Sequence, residues 1–255
     1  MSTEGFGASA ASRDRGTNED AYLVHDGFGL YVVCDGASDG PAGEVAAETA
    51  VSAVQAVVEE GQRTKGAFLR ALSGDDIATR AVRNAVHAVV RAAEHDESLS
   101  GMATTVSVLL VHGRLGTVCH VGDSRVYLLR DGLLHQLTSD HELTAATHLE
   151  TEDTYAEVAP ESFSLGLVPG DIFILCTDGA QEAVEDPTIL APAHLLTPAE
   201  LATRVLQAAR IRCPDRDATA VVVRVREETE PGWLWLSELP RRFGFGHALP
   251  ERGRC

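Results

Sequence analysis

Acidic residues border the apolar runs of this chain at five places, where a carboxylate would stand at the end of a strand. The five places are Glu19-Asp20, Asp35-Gly36, Gly122-Asp123, Asp178-Gly179 and Asp217. Carboxylates that converge at such rigid positions repel one another unless cations neutralise them. Because carboxylate oxygens are hard ligands, a converged set would suit Mg²⁺ or Mn²⁺. Asp-Gly pairs also mark ordinary turns, so each pair alone favours a turn, and spacing by itself does not establish convergence.

The periodicity of apolar residues predicts the elements that would position these carboxylates. Strands are predicted at residues 21–24, 28–34, 104–111, 115–121, 125–129, 171–176 and 219–225. Amphipathic helices are predicted at residues 43–59, 75–94 and 199–210. The βαβ alternation of a parallel nucleotide-binding sheet is absent. The order of elements therefore favours stacked antiparallel sheets covered by helices.

The charge balance argues against several classes of partner. The 255 residues include 38 acidic and 21 basic ones, which gives a net charge of −17. A protein of that sign repels nucleic-acid phosphates and anionic membrane surfaces. The sequence contains no apolar run near the roughly 20 residues of a membrane-spanning helix, and its N-terminus lacks the pattern of a secretory signal. We therefore expect no nucleic-acid partner and no membrane partner.

The cysteines indicate the cellular environment of the protein, and the absence of several catalytic motifs argues against other classes of enzyme. None of the five cysteines forms a CxxC pair, and Cys34, Cys119 and Cys176 lie inside apolar runs. Such cysteines are typical of reduced, buried thiols, so we expect a cytoplasmic protein. The sequence has no GxSxG, P-loop or HExxH motif, so serine hydrolase, NTPase and zinc-peptidase chemistry lack support.

Seven short blocks occur in an order that indicates a family. They are Arg15-Gly-Thr-Asn-Glu-Asp20, Val33-Cys-Asp-Gly36, Ala42-Gly-Glu44, Ala103-Thr-Thr105, Val121-Gly-Asp-Ser-Arg-Val-Tyr127, Leu137-Thr-Ser-Asp-His141 and Leu175-Cys-Thr-Asp-Gly179. From about residue 13 to residue 225 the chain resembles bacterial PPM-type (type 2C) metal-dependent serine/threonine protein phosphatases. The resemblance implies an α+β fold, a four-layer α/β/β/α sandwich of two antiparallel sheets flanked by helix pairs. It assigns residues 1–226 to the phosphatase domain and leaves 227–255 as a C-terminal extension rich in Trp, Phe and Arg.

The resemblance also implies a centre of two Mn²⁺ or Mg²⁺ ions, with a third ion in bacterial members. The implied metal-binding residues are Glu19, Asp20, Asp35, Gly36, Asp123, Asp178 and Asp217. Asp35 would bridge both ions, the carbonyl of Gly36 would join the second ion, and Asp178 would bind the first. Glu19 and Asp20 would hold metal-bound waters.

The remaining implied roles concern the third ion and the phosphate. Asp123 would belong to the third-metal site. Two cations would lower the pKa of a shared water and so supply the hydroxide that attacks phosphorus in line. Arg15 would bind the non-bridging phosphate oxygens, and hence the substrate, with its planar guanidinium. The implied catalytic residues are therefore Arg15 and Asp35.

The chain departs from the family pattern close to these residues. Ala37 and Gly40 occupy positions where relatives carry histidine. The usual general acid is thus missing, and Asp39 or a metal-bound water would have to protonate the leaving group. Asp39 is also consistent with an ordinary solvated loop residue. The segment between His141 and Asp171 is shorter than the flap of the family.

A further departure concerns the last metal ligand. The family aspartate that stands three residues before the final threonine corresponds to Arg216 here. A one-residue bulge would bring Asp215 or Asp217 inward instead, and we expect Asp217. Without such a bulge the first metal would lose a ligand and face a repelling cation.

Two functions follow from the resemblance and its departures. The first is an active, monomeric phosphatase that hydrolyses phosphoserine and phosphothreonine on proteins and opposes a bacterial serine/threonine kinase. The second is a pseudophosphatase that binds a phosphoprotein or regulatory partner without hydrolysis, which Gly40, Arg216 and the short flap motivate. Residues 35–44 can also be interpreted as a calcium-binding loop, but they lack the regular alternation of ligands that such loops have. We expect the enzyme, because most metal ligands are retained and a metal-bound water can replace a missing acid.

Overall fold

The computed structural model describes residues 1–14, 16–37, 42–63, 74–141 and 160–227. The strands are β1 (Ser2–Ala10), β2 (Asp20–His25), β3 (Leu30–Ala37), β4 (Ala103–Thr104), β5 (Val106–His112), β6 (Leu115–Val121), β7 (Arg125–Arg130), β8 (Leu133–Gln136), β9 (Glu161–Gly166), β10 (Ile172–Cys176) and β11 (Ala218–Arg226). The helices are α1 (Gly43–Arg63), α2 (Gly74–His95), α3 (Asp178–Val184), α4 (Pro187–Leu190) and α5 (Pro198–Arg212). Among these described helices, none combines the length and the apolar character of a membrane span.

Two antiparallel sheets form the centre of the fold. The first sheet has the strand order β1-β11-β10-β7-β8, and the second has the order β2-β3-β5-β6-β9, with β4 paired to β3. All the strand pairings within the described residues are antiparallel. This result confirms the stacked antiparallel sheets that the order of elements predicted.

Three apolar cores lie between the layers of the molecule and hold them together. One core joins α1 and α2 to the second sheet and includes Val54, Val82 and Val108. Another lies between the two sheets and includes Tyr31 and Phe173. The third packs the first sheet against α3, α4 and α5. Burial of apolar surface, worth about 25 cal/mol per Å², stabilises this layering, and the four-layer α/β/β/α sandwich implied by the resemblance is confirmed.

The N-terminal strand β1 is an element that hydropathy did not predict. Its sequence, STEGFGASA, consists mainly of small and polar residues. It nevertheless pairs with β11 along its whole length. A side chain at Gly7 would collide with the ring of Tyr22 on β2, so the glycine allows β1 to pass close to the second sheet. This pairing carries the chain from Ala10 towards the end of the sandwich where the acidic residues gather.

Candidate functional site

Asp20 and Asp35 are brought face to face by the pairing of β2 with β3. Asp20 is the first residue of β2, Asp35 lies near the end of β3, and the register places them directly opposite each other. Like charges in such a cross-strand pair destabilise a sheet. This arrangement is therefore favourable only when a proton or a cation offsets the repulsion.

Hydroxyl groups hold the backbone of Asp35 in place. The amide of Asp35 donates to Thr105 Oγ1 at 2.9 Å. The carbonyl of Asp35 accepts from the amide of Thr105 at 2.9 Å and from Thr104 Oγ1 at 3.0 Å. Thr105 Oγ1 is also hydrogen-bonded to the buried Ser124 Oγ at 2.6 Å. The Ala-Thr-Thr block of the sequence thus fixes the strand end that presents the Asp35 carboxylate.

Gly36 occupies a point where three backbone segments meet. Its amide donates to the carbonyl of Glu19 at 3.1 Å. A Cβ atom at this position would collide with the carbonyl groups of Gly43 and Glu19. Only glycine fits such a close approach. The packing joins Glu19, the end of β3 and the start of α1 into one rigid corner of the site.

Asp178 opens α3 directly after the buried strand β10, with Thr177 as the N-cap residue. The hydroxyl of Thr177 donates to Asp20 Oδ2 at 2.8 Å, and the hydroxyl of Thr219 donates to the same oxygen at 2.7 Å. Asp20 Oδ1 is buried, and it has no hydrogen-bond partner within the part of the chain that the structure describes. Asp20 is therefore held between the two sheets with half of its acceptor capacity unsatisfied.

One pocket, with a volume of about 240 Å³, collects acidic residues from four separate parts of the chain. Its lining is Glu19, Asp35, Gly36, Ala37, Asp178, Asp215, Arg216 and Asp217. Five of the seven expected metal-binding residues lie in this lining. Asp20 adjoins it through its cross-strand partner Asp35. The structure thus brings together strand ends that are far apart in the sequence.

The pocket carboxylates lie within one another's electrostatic field. Burial raises the pKa of Asp35 well above its usual range, and the negative charges of Asp20 and Asp178 raise it further. Burial also raises the pKa of Asp20 to about 7, although the hydrogen bonds from Thr219 and Thr177 act in the opposite direction. Raised pKa values on facing carboxylates indicate negative charge that a cation would relieve.

The donor chemistry of the pocket suits divalent cations. Carboxylate oxygens and a main-chain carbonyl are the hard ligands that Mg²⁺ and Mn²⁺ prefer. The unsatisfied Oδ1 of Asp20 and the raised pKa of Asp35 mark the place where positive charge is needed. Within the described ranges, no three His, Cys, Asp or Glu side chains already form a coordination cluster. Protein groups instead engage the pocket carboxylates of Asp178 and Asp217.

Asp217 lines the pocket, and both of its carboxylate oxygens accept main-chain hydrogen bonds. Oδ1 accepts from the amide of Ser12 at 2.6 Å, and Oδ2 accepts from the amide of Glu19 at 2.8 Å. Ser12 and Glu19 are seven residues apart in the sequence. Asp217 therefore holds these two positions of the chain together with two charge-assisted hydrogen bonds. Its assignment as a metal ligand stays a prediction beside this structural role.

Replacement of Asp217 by asparagine is expected to lower the free energy of unfolding of the metal-free protein by about 1–3 kcal/mol. The reason is that asparagine supplies one acceptor oxygen where two amides donate. Urea unfolding in the presence of a chelator measures the change. Asp215→Asn is the matched control, because Asp215 lines the same pocket and is exposed. Equal stability of Asp217→Asn and the wild type would contradict this structural role. If Asp217 acted only as a metal ligand, removal of its charge would relieve repulsion and would not destabilise the metal-free protein.

Arg216 brings a positive charge into the same pocket. Its Nη1 donates to Asp178 Oδ2 at 2.5 Å. The turn at residues 213–217, between α5 and β11, carries Asp215, Arg216 and Asp217 to the lining. Sequence reasoning identified Arg216 as a departure but did not identify its partner. No local signal connects it with Asp178, because the two residues are 38 positions apart.

Asp123 follows β6 and lies outside the pocket lining. Burial raises its pKa, and the charge of Asp178 raises it further. Its carbonyl accepts from Gln181 Nε2 at 2.6 Å, and the preceding carbonyl of Gly122 accepts from His120 Nε2 at 2.8 Å. The backbone of Asp123 is thus well held beside α3. Its role at a third metal stays a prediction.

Three expected features lie outside the described residues. These are Arg15, Asp39 and all of the 227–255 extension except residue 227. Of the segment between His141 and Asp171, the structure describes residues 160–170. The roles of these features stay predictions.

A sequence profile of the family described as Protein phosphatase 2C matches residues 7–210. The chain belongs to the protein phosphatase 2C family. The matched range contains the Glu19, Asp35 and Asp178 positions of the pocket.

Relatives of this protein phosphatase 2C chain include bacterial serine/threonine phosphatases. The phosphatase PstP of Mycobacterium tuberculosis is 35% identical over 237 residues, which cover 84% of this chain and 44% of PstP. The phosphatase stp of Listeria monocytogenes is 27% identical over 196 residues, which cover 68% of this chain and 76% of that protein. The chain therefore spans less than half of the length of PstP.

A solved structure of the catalytic domain of PstP in complex with two manganese ions resembles this protein phosphatase 2C chain. The TM-score is 0.74 at 28% sequence identity, and the similarity covers 89% of this chain and 99% of that domain. The two-sheet sandwich of this chain thus resembles a fold that is known from experiment.

Proposed function

We propose that the chain is a metal-dependent protein phosphatase that hydrolyses phosphoserine and phosphothreonine. The observation that carries the proposal is the pocket in which Glu19, Asp35 and Asp178 meet. Mutual repulsion makes such a set unfavourable unless it binds cations. Family membership and the names of the relatives support the same activity.

The cofactor in this proposal is a set of Mn²⁺ or Mg²⁺ ions. The two manganese ions of the related PstP structure support this assignment. Two ions would be held by Asp35, the Gly36 carbonyl, Asp178 and, through water, Glu19 and Asp20, and a third ion by Asp123. When bound, the ions would neutralise phosphate charge and lower the pKa of the attacking water.

The residues of the chain would orient the substrate and the acidic centre. Thr104 and Thr105 fix the backbone of Asp35 and so determine where its carboxylate points. Arg15 would bind the non-bridging oxygens of the phosphate, as the family resemblance implies. Ala37 cannot donate a proton, so Asp39 or a metal-bound water would protonate the leaving serine or threonine oxygen.

The biological setting is also part of the proposal. The substrates would be phosphoproteins of a bacterial serine/threonine kinase, and the phosphatase would act in signalling as a cytoplasmic monomer. The described cysteines support a reducing environment, because Cys34, Cys119, Cys176 and Cys213 are all free thiols. Residues 1–226 would form the phosphatase domain, which agrees with the end of β11 at Arg226.

A pseudophosphatase is the weaker alternative. Arg216 is its main support, because the guanidinium engages a candidate metal ligand. However, the other acidic residues of the pocket are retained, and the relatives are named as phosphatases. These observations favour the enzyme.

The proposed activity is tested by following phosphate release from a phosphothreonine peptide and from p-nitrophenyl phosphate during a Mn²⁺ titration. Turnover that rises with Mn²⁺ and stops after chelation is expected. A folded protein that binds the phosphopeptide but releases no phosphate at any Mn²⁺ or Mg²⁺ concentration would favour the pseudophosphatase instead.

A further inference from the structure

Arg216 forms an ion pair with Asp178 in the acidic pocket. Its Nη1 lies 2.5 Å from Asp178 Oδ2, and the two side chains keep 56% and 30% of their surface exposed. The other charged residues of the lining are Glu19, Asp35, Asp178, Asp215 and Asp217. The guanidinium is therefore the single positive charge among five acidic side chains of the described lining.

The position of this charge matters because of the chemistry of the pocket. Arginine keeps its proton at every physiological pH, so the charge cannot be switched off by titration. The guanidinium occupies a carboxylate oxygen of Asp178 that a divalent cation would also use. A cation approaching Asp178 thus meets both an occupied oxygen and electrostatic repulsion.

The location of Arg216 also makes its displacement feasible. It lies in the turn at residues 213–217, and more than half of its side chain is exposed. Exposed ion pairs of this type are weak, because water solvates both partners. A divalent ion can therefore displace the guanidinium, at the cost of a reduced apparent affinity.

We infer that Arg216 is an internal counter-cation that competes with a divalent metal ion for Asp178. Metal binding at this ligand is then coupled to release of the guanidinium from the carboxylate. This inference rests on the proposed function, because it assumes that Asp178 is a metal ligand. It gives Arg216, which stands where the family pattern has an aspartate, a role in setting the affinity for metal.

The test is a Mn²⁺ titration of the metal-free protein, in which the electron paramagnetic resonance signal of free Mn²⁺ gives both stoichiometry and affinity. Arg216→Gln is expected to tighten the site that contains Asp178 by about two- to fivefold, the range that corresponds to an exposed ion pair. Arg216→Lys, which keeps the charge, is expected to remain closer to the wild type. Circular dichroism verifies that each variant is folded.

A double-mutant cycle assigns the effect to Asp178. Asp178→Asn is expected to weaken Mn²⁺ binding, and in that background Arg216→Gln should no longer tighten it. Arg212→Gln is the matched control, because Arg212 pairs with Asp186 outside the pocket. Its Mn²⁺ affinity should equal that of the wild type.

The outcomes separate this inference from the proposed function. Equal Mn²⁺ affinities for wild type and folded Arg216→Gln overturn the inference while leaving the phosphatase proposal intact. Tightening that persists in the Asp178→Asn background also overturns it. Absence of Mn²⁺ binding by folded wild type and all variants instead removes the metal-dependent function on which the inference rests.

Discussion

Replacement of Asp35 by asparagine is expected to lower kcat for phosphopeptide hydrolysis by about 10³-fold or more. Asp35 lines the pocket, and the charges of Asp20 and Asp178 act on it directly. It is the residue to which the family resemblance assigns the bridge between the two ions. Steady-state turnover of a phosphothreonine peptide at saturating Mn²⁺ measures the loss.

The design of this variant separates chemistry from folding. Asparagine has nearly the shape of aspartate, and the backbone bonds of Asp35 with Thr104 and Thr105 do not involve its carboxylate. Loss of a charge that faces Asp20 should leave the metal-free protein at least as stable as the wild type. Asp215→Asn is the matched control and should keep most of the activity. Turnover of Asp35→Asn within tenfold of the wild type would exclude a central role for this carboxylate.

Addition of Mn²⁺ to the metal-free protein is expected to produce the second large effect, an increase in thermal stability. A ligand that binds only the folded state at 100 times its Kd stabilises that state by about 2.7 kcal/mol. For a chain of this size the corresponding rise in Tm is about 5–10 °C. The physical source is neutralisation of buried, mutually repelling carboxylates; burial, with a further contribution from the charges of Asp217 and Asp178, raises the pKa of Asp20 to about 7. Differential scanning fluorimetry across a Mn²⁺ series measures the rise.

Two controls identify the origin of this stabilisation. Excess chelator should return Tm to its starting value, because the effect depends on bound ions. The Asp35→Asn variant should show a much smaller rise, because it would lack the carboxylate proposed as the central ligand. A wild-type Tm that does not respond to Mn²⁺ or Mg²⁺ would contradict cation binding in the acidic pocket.

Local sequence patterns predicted most of the regular elements. The helix predicted at residues 43–59 corresponds to α1 at Gly43–Arg63, and the strand predicted at 115–121 corresponds to β6 at Leu115–Val121. Apolar periodicity succeeds for these elements because one face of each is buried in a core. It does not succeed for β1, whose small residues give no such pattern and whose strand state depends on pairing with β11 about 200 residues later.

The list of acidic residues could likewise be derived from strand-end positions and from the family blocks. The hydrogen-bond and ion-pair partners of these residues could not be derived in the same way. Asp217 accepts from amides about 200 residues away, Asp20 accepts from Thr177 and Thr219, and Arg216 pairs with Asp178.

Residue types and their local order thus established the fold class and the acidic character of the site. Only packing of the two sheets determined which carboxylates face a hydroxyl, an amide, a guanidinium or the open pocket. The physical reason is the distance along the chain over which each signal acts. Apolar periodicity reports burial within a single element, whereas the hydrogen bonds and ion pairs of the site join segments that become neighbours only when both sheets have formed.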